Sequence, residues 1–393
     1  MAVTTKTQVT LSGESALLSA KELSARFAVT AAEVDRTAAF PFANFEALRD
    51  AGLLNLTVPV RFGGSGAGLE TACRVVSAIG GGEPSTALVY AMHLIYHALP
   101  ALTGLWTPSV HELLCRESVE GVALVNVMRV EPELGTPTRG GLPSMTAERT
   151  LPGWRISGHK MYATGSPLLR YFICWSRTAG DDPQVGWFVV PRDAPGLRIV
   201  ETWDHMGMRA TGSHDLILEN VEIPAEYAVD IREPGAWLPP DPVQSSWNNL
   251  VLAALYHGIA RAAATWLQGY LHDRAPANLG GSLATLPRFQ SSVGEIEALL
   301  WENERLVFGL AAELDGCGYD PAIAAQTAFA KFAATNNAVR AVDIAMSLIG
   351  NPGLARANPL ERYHRDVLCS RIHMPQDDMV TLNAGRAALG IQP

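Results

Sequence analysis

The apolar positions along this 393-residue chain change their spacing twice. From residue 14 to 118 they recur with a helical period, in stretches near 69–80, 84–104 and 108–118. Phe45 to Gly52 reads as a helix end with Gly52 as its C-terminal cap. Between about 121 and 235 the pattern breaks into short β-like runs: Val122–Val127, Ser144–Arg149, Trp154–Ser157, Tyr171–Ser176, Val185–Val190, Leu197–Glu201 and Leu216–Val221. Turn residues such as Pro152-Gly153 and Asp181-Asp182-Pro183 separate them, and strands at this spacing predict a small barrel or sandwich. A Pro-rich stretch, Glu233 to Pro242, closes the block. Helical periodicity then returns over about 243–272, 287–316, 320–349 and 376–388, which predicts a four-helix bundle with most of its surface buried. The chain divides into a helical domain at 1–120, a β domain at 121–235 and a helical bundle at 236–393. That order excludes the simple strand–helix alternation of a parallel sheet.

Composition narrows the picture. Charged residues make up 18% of the chain, against the roughly 25% usual in soluble domains. Much apolar surface must be buried between domains or subunits, and we expect an oligomer. A net charge of −9 argues against nucleic acid or an anionic membrane as partner. Ala87 to Trp106 carries no formal charge, but it contains His93, His97 and Pro100 and lacks basic flanks, so it reads as a core helix and not a membrane span. Residues 1–12 show no signal-peptide layout. The five cysteines are scattered and odd in number, which predicts buried free thiols in the cytoplasm and neither a disulfide framework nor a zinc site.

The chain has no P-loop, no GxGxxG after a strand, no GxSxG and no HExxH. The glycine-rich Arg61–Gly68 reads as a plain loop. His93 and His97 have i, i+4 spacing, but no third ligand is evident, so no metal is expected; they are core or pocket-lining residues. Asp377 and Asp378, just after Pro375, suit the first turn of a helix, where anions meet the positive end of the dipole.

Five segments in order resemble the acyl-CoA dehydrogenase superfamily. They are Trp154–Gly165 (WRISGHKMYATG), Trp203–Ser213, Asp215–Pro224, Pro287–Ile296, and Gly350–Gly353 followed by Pro359–Asp366. The resemblance implies an acyl-CoA dehydrogenase-like fold: an N-terminal α-helical domain, a middle small β-barrel domain and a C-terminal four-helix bundle. It also implies a homotetramer whose flavin sites are shared between subunits. By resemblance, Tyr162 stands against the flavin ring and Thr164 at its N5. Gln290, Gly350 and Gly353 would meet the adenosine half of FAD, and Arg274 its diphosphate, although the Phe-Gly usual after that arginine is missing. FMN is the alternative to FAD, because Ser347 replaces the usual Gln.

The departures from the family carry the functional reading. A dehydrogenase needs a carboxylate base over the flavin. The two positions where the family places it hold Met374, and Asn248 and Asn249. The spacing from Arg365-Asp366 to His373 is instead similar to the flavin-dependent monooxygenase branch, which includes dibenzothiophene monooxygenase and two-component aromatic hydroxylases. There a His lies near the reactive edge of the flavin, and His93 falls where some members place a second pocket His. Asn126–Thr138 lacks the usual Thr-Glu-Pro-Gly-Ala-Gly-Ser-Asp run. The expected function is therefore a flavin monooxygenase or oxidase acting on a small organic substrate, fed by a separate flavin reductase. An acyl-CoA dehydrogenase with a displaced base and a non-catalytic flavin-binding protein are the alternatives. Asn249, where an arginine for CoA is expected, argues against CoA.

Overall fold

A computed structural model describes residues 10–134, 141–237 and 241–391. The end of the Asn126–Thr138 segment and part of the Pro-rich stretch lie outside the described residues. The first block holds α1 (Gly13–Thr37), α2 (Phe42–Asp50), α3 (Leu69–Gly82), α4 (Pro84–Thr103) and α5 (Pro108–Glu120). Ser12 caps α1 through the Ser15 amide at 3.2 Å. The helix buries Ala16, Ala20, Leu23, Phe27 and Ala31, a stripe at three- and four-residue spacing. Gly52 takes the left-handed conformation just past α2, as its sequence position predicts. The uncharged stretch around residue 90 is α4, almost wholly buried.

The middle block holds β1 (Leu124–Met128), β2 (Thr146–Arg149), β3 (Gly153–Ala163), β4 (Leu169–Thr178), β5 (Val185–Pro191), β6 (Leu197–Val200), β7 (His214–Pro224) and β8 (Ala228–Arg232). They form one sheet in the order β6-β7-β3-β2-β4-β5-β8, with β1 added in parallel on β4. The pairing β3–β7 is antiparallel and brings two of the quoted motifs side by side, with Ala163 opposite His214.

The third block is helical: α6 (Pro242–Asp273), α7 (Pro287–Glu304), a π turn at Arg305–Gly309, α8 (Leu310–Cys317), α9 (Pro321–Ala324), α10 (Thr327–Ile349), α11 (Asn351–Leu354), α12 (Leu360–Leu368) and α13 (Asp377–Ala388). α6 is the only helix among the described residues long and apolar enough to cross a membrane, but 78% of its apolar window is buried against neighbouring helices, as suits the core helix of a soluble protein. Gly258 allows its close crossing of α3, since a Cβ there would meet the Ser77 carbonyl oxygen at 2.1 Å.

Several details differ from the sequence reading. β8 and α12 are additional elements, and the helix expected over 287–316 is interrupted by the π turn. The five cysteines are free, but Cys317 is exposed where a buried thiol was expected. In the glycine-rich loop Gly68 packs on Asp315, whose carboxylate accepts the Leu69 and Glu70 amides at 2.9 Å each, so this chain's own acid fills the N-terminus of α3. Asp377 and Asp378 open α13.

Candidate active site

β3 ends in a turn with unusual backbone geometry. Tyr162 has φ +58°, in the left-handed region, and Gly165 follows at +86°. A bulky residue rarely adopts this conformation unless its surroundings enforce it, and such residues gather at functional sites. Here the neighbours do enforce it. The Gly165 amide donates to the Thr211 carbonyl at 2.9 Å, Ser166 Oγ donates to the Gly212 carbonyl at 2.7 Å, and Asn126 Nδ2 donates to the Thr164 carbonyl at 2.9 Å. The turn leaves the Tyr162 ring 45% exposed. Its neighbours are Trp203 and His205, which stack on each other at 3.7 Å with 11° between their planes and meet Tyr162 edge-on.

Behind Tyr162 runs a chain of hydroxyls. Thr164 Oγ1 lies 2.8 Å from Ser213 Oγ, which lies 2.8 Å from Thr211 Oγ1. Thr211 donates to the Met208 carbonyl at 3.0 Å. Each hydroxyl has one hydrogen, so the direction of the chain is fixed. Ser213 must donate to Thr211 and Thr164 to Ser213. Thr164 Oγ1 therefore presents lone pairs outward, as an acceptor.

The Met208 amide in turn donates to Asp366 Oδ1 of α12 at 2.7 Å, which ties the sheet to the helical bundle. Asp366 is 3% exposed, and burial raises its pKa to about 7. Arg365 beside it pairs with Asp35 and Glu361 at 2.7 and 2.8 Å.

His373 follows α12 after a short 3₁₀ turn over Cys369–Ile372. Its ring lies 5.8 Å from that of Tyr256 on α6. Burial and the nearby Lys331 charge lower its pKa to about 4, so the imidazole is neutral near pH 7. Lys331 on α10, itself fully buried, donates at 2.7 Å to the carbonyls of both His373 and Pro375 and so fixes the segment. His373 Nε2 and Tyr256 Oη are both sealed from solvent without a hydrogen-bond partner. Buried polar atoms rarely remain unpaired, which makes these two candidate ligand contacts.

The eight expected residues fall into three groups. Tyr162 and Thr164 are linked through Ser213, Thr211 and Met208 to Asp366, and His373 follows seven residues later in the chain, against Tyr256. Arg274, Gln290, Gly350 and Gly353 lie elsewhere: Arg274 is 18 residues past Tyr256, roughly 27 Å along the axis of α6. The Leu283 amide donates to the Arg274 carbonyl at 2.9 Å and Gln290 Nε2 to the Ala284 carbonyl at 3.0 Å, which ties these two sites together. Arg274, Gln290 and Gly350 are exposed, whereas Gly353 is buried. A recess of about 280 Å³ between α7 and α10 runs from Arg288 to Ser347, close to both Gln290 and Gly350.

His93 forms the third group and corrects the expectation of a pocket residue. It is fully buried, and its Nε2 meets the Leu54 carbonyl at 3.0 Å. Its Nδ1 accepts the Val125 amide at 3.3 Å. Both nitrogens are committed to backbone, so His93 locks α4 onto β1. No group of three metal-ligating side chains exists among the described residues.

The residues at the end of β3 fit a flavin: an exposed aromatic surface and a directed hydroxyl. Residues 18–104, 128–221 and 246–389 match the N-terminal, middle and C-terminal domains of acyl-CoA dehydrogenase. The chain is 33% identical, over 90% of its own length and 91% of the relative's, to YdbM of Bacillus subtilis (strain 168), a provisionally named acyl-CoA dehydrogenase. The chain belongs to the acyl-CoA dehydrogenase superfamily. It is also 27% identical to the L-evernosamine nitrososynthase of Micromonospora sp. (strain ATCC 39149 / NRRL 15099 / SCC 1413), over 92% of this chain and 87% of that one. Among solved structures it is similar to KijD3 in complex with FMN and dTDP-3-amino-2,3,6-trideoxy-4-keto-3-methyl-D-glucose, with a TM-score of 0.85, 27% identity, and 97% and 94% of the two chains covered. As a member of this superfamily the protein is a flavin-dependent oxidoreductase.

Trp203, His205, Ser213, Thr211, Tyr256, Asp366 and Lys331 are site residues for which the sequence reading assigned no role. Trp203, His205, Thr211, Ser213 and Asp366 lay inside the quoted motifs. Tyr256 and Lys331 carried no signal, since each sits in an apolar helix.

Proposed function

We propose that this flavoenzyme is a monooxygenase or oxidase that uses reduced flavin and O2 on a small organic substrate. The observation that carries the reading is His373: a neutral imidazole whose buried Nε2 has no partner, 5.8 Å from the Tyr256 ring, followed by Met374 where a dehydrogenase needs its carboxylate. When bound, reduced flavin supplies the electrons and O2 the inserted oxygen atom. His373 holds a proton at a fixed atom without acting as a base toward a carbon acid. Tyr256 and the apolar wall of α6 exclude water. Tyr162 offers its ring to the flavin. Thr164, held as an acceptor by Ser213, suits the N5–H of a reduced flavin better than the bare N5 of an oxidised one.

The cofactor is FAD in this reading, with FMN, which the KijD3 complex contains, as the alternative. The exposed Arg274, Gln290 and Gly350, far from Thr164 along the chain, suit a homotetramer in which each subunit completes its neighbour's site. A separate reductase supplies the reduced flavin, and the compartment is the cytoplasm.

Dehydrogenation of an acyl thioester is the second reading. It is favoured by the name of the 33% identical relative and by the raised pKa of Asp366. Asp366 is nevertheless engaged by the Met208 amide on the inner side of the hydroxyl chain.

The test supplies reduced flavin from an added reductase and then O2. O2 consumption should run ahead of the return of the oxidised flavin spectrum, and His373→Ala should shorten that delay by about 10²-fold, the usual worth of one positioned hydrogen-bond donor. Simultaneous O2 loss and flavin reoxidation, unchanged by His373→Ala, would contradict the proposal.

A further inference from the structure

Arg129 lies one residue past the end of β1 and three residues from Asn126, the residue that holds the Thr164 carbonyl. Its guanidinium carbon sits 4.7 Å from the ring centre of Trp187 and 5.8 Å from that of Trp175. Those two rings are 4.6 Å apart, and Trp237 closes the cage edge-on to Trp175 at 4.4 Å. Tyr96 of α4, 6% exposed, stands close enough for its phenol to interact electrostatically with the guanidinium.

No carboxylate answers this cation. The nearby acid is Glu131, and its charge is already taken. Lys160 Nζ lies 2.6 Å from it with both side chains buried, and the Ser144 and Met145 amides donate to its two oxygens at 2.6 and 3.0 Å. The region therefore holds two cations against one anion. Among the described residues Arg129 makes no hydrogen bond or ion pair. Its Nε and the Trp175 Nε1 are sealed without acceptors. A cation–π contact recovers only part of what a guanidinium loses on leaving water. Two neighbouring donors thus lack an acceptor, Arg129 Nε just past β1 and Trp175 Nε1 on β4.

We propose that Arg129, with Tyr96 and Trp175, binds the oxoanion group (carboxylate, sulfonate or phosphate) of a small substrate whose reacting end lies at the Thr164–His373 site. The planar guanidinium, held against indole faces, presents its terminal nitrogens for paired hydrogen bonds to two oxygens. The inference deepens the proposed function by naming one end of the substrate, and its test needs no turnover, so its failure leaves the oxygen chemistry standing.

Flavin-loaded enzyme is titrated with acetate, methanesulfonate and inorganic phosphate, with acetamide as the uncharged control, by calorimetry and thermal shift. At least one anion should bind and raise the melting temperature at millimolar concentration, and acetamide should not. Arg129→Met should weaken that binding by at least about tenfold, and Arg129→Lys should retain part of it. Without anion, Arg129→Met should melt no lower than the wild type, because a cation with no partner gives way to an apolar side chain of similar length. Absence of anion binding, equal binding by Arg129→Met, or a lower melting temperature of Arg129→Met without anion would overturn the proposal. The last result would make Arg129 a structural filler of the tryptophan cage.

Discussion

Ser213→Ala tests the direction of the hydroxyl chain. Ser213 is 2% exposed and bridges Thr164 and Thr211 at 2.8 Å on either side. Its removal leaves Thr211 bonded to the Met208 carbonyl but frees the Thr164 hydrogen. In the wild type Thr164 accepts, which favours the N5–H of reduced flavin. In the variant it can also donate, which favours the oxidised N5. The change is worth one neutral hydrogen bond, about 1 kcal/mol. Because 1.4 kcal/mol corresponds to about 30 mV for a two-electron couple, the flavin midpoint potential should fall by roughly 20 mV. The loss of two buried hydrogen bonds should also lower folding stability by about 1–3 kcal/mol. Thr164→Val should lower the potential as well, and should weaken reduced-flavin binding about fivefold. Potentials measured against a reference dye on each variant decide the matter. An unchanged or higher potential in Ser213→Ala would refute the reasoning, because Thr164 would then not be held as an acceptor toward N5.

Three further outcomes are expected. The folded-state pKa values of His93, His111, His257 and His373 lie near 4 and that of His97 is lowered as well, all held down by burial. The unfolded chain binds these protons near pH 6.5, so the stability they contribute is complete above 6.5 and is lost as pH falls toward 4. Asp366 and Glu83, whose pKa values are raised, act in the opposite sense over part of this window. A net loss of roughly 4 kcal/mol per pH unit should appear in urea unfolding between pH 6 and 5, and a flat profile would contradict it. Lys160→Met strands the buried Glu131 and should cost about 3–5 kcal/mol in the same assay, with Lys160→Met/Glu131→Gln recovering much of it. Light scattering of the flavin-loaded protein should give a tetramer, and a stable monomer would remove Gly350 and Gln290 from any shared flavin site.

The periodic patterns predicted the architecture because they record what each element buries. Seven strands and the long helices follow directly from alternation and helical stripes. β8 escaped because Asp230, with φ +54°, breaks a five-residue strand. α12 went unread because its polar Leu360–Leu368 run suggested a motif and not a buried helix. At the candidate site, Tyr162 and Thr164 lay inside a quoted motif, but the contacts from Asn126, Thr211 and Gly212 that hold their turn come from distant segments. His93 was misplaced because an isolated buried histidine looks the same whether it serves the core or a pocket. The hydroxyl chain, the Lys331 clamp and the unpaired Arg129 arise from contacts between distant segments. A serine, a lysine in an alanine-rich helix and an arginine after a strand give no local sign of such roles.

The central claim is that this site performs oxygen chemistry and removes no proton from an acyl thioester. Mixing the oxidised, flavin-loaded enzyme with straight-chain and cyclic acyl-CoAs in the absence of O2 tests it most directly. The oxidised flavin absorbance should stay unchanged with every thioester, because Met374 and Asn248 supply no base and the pKa of His373 is lowered to about 4. Rapid bleaching by any acyl-CoA would contradict it and establish the dehydrogenase reading.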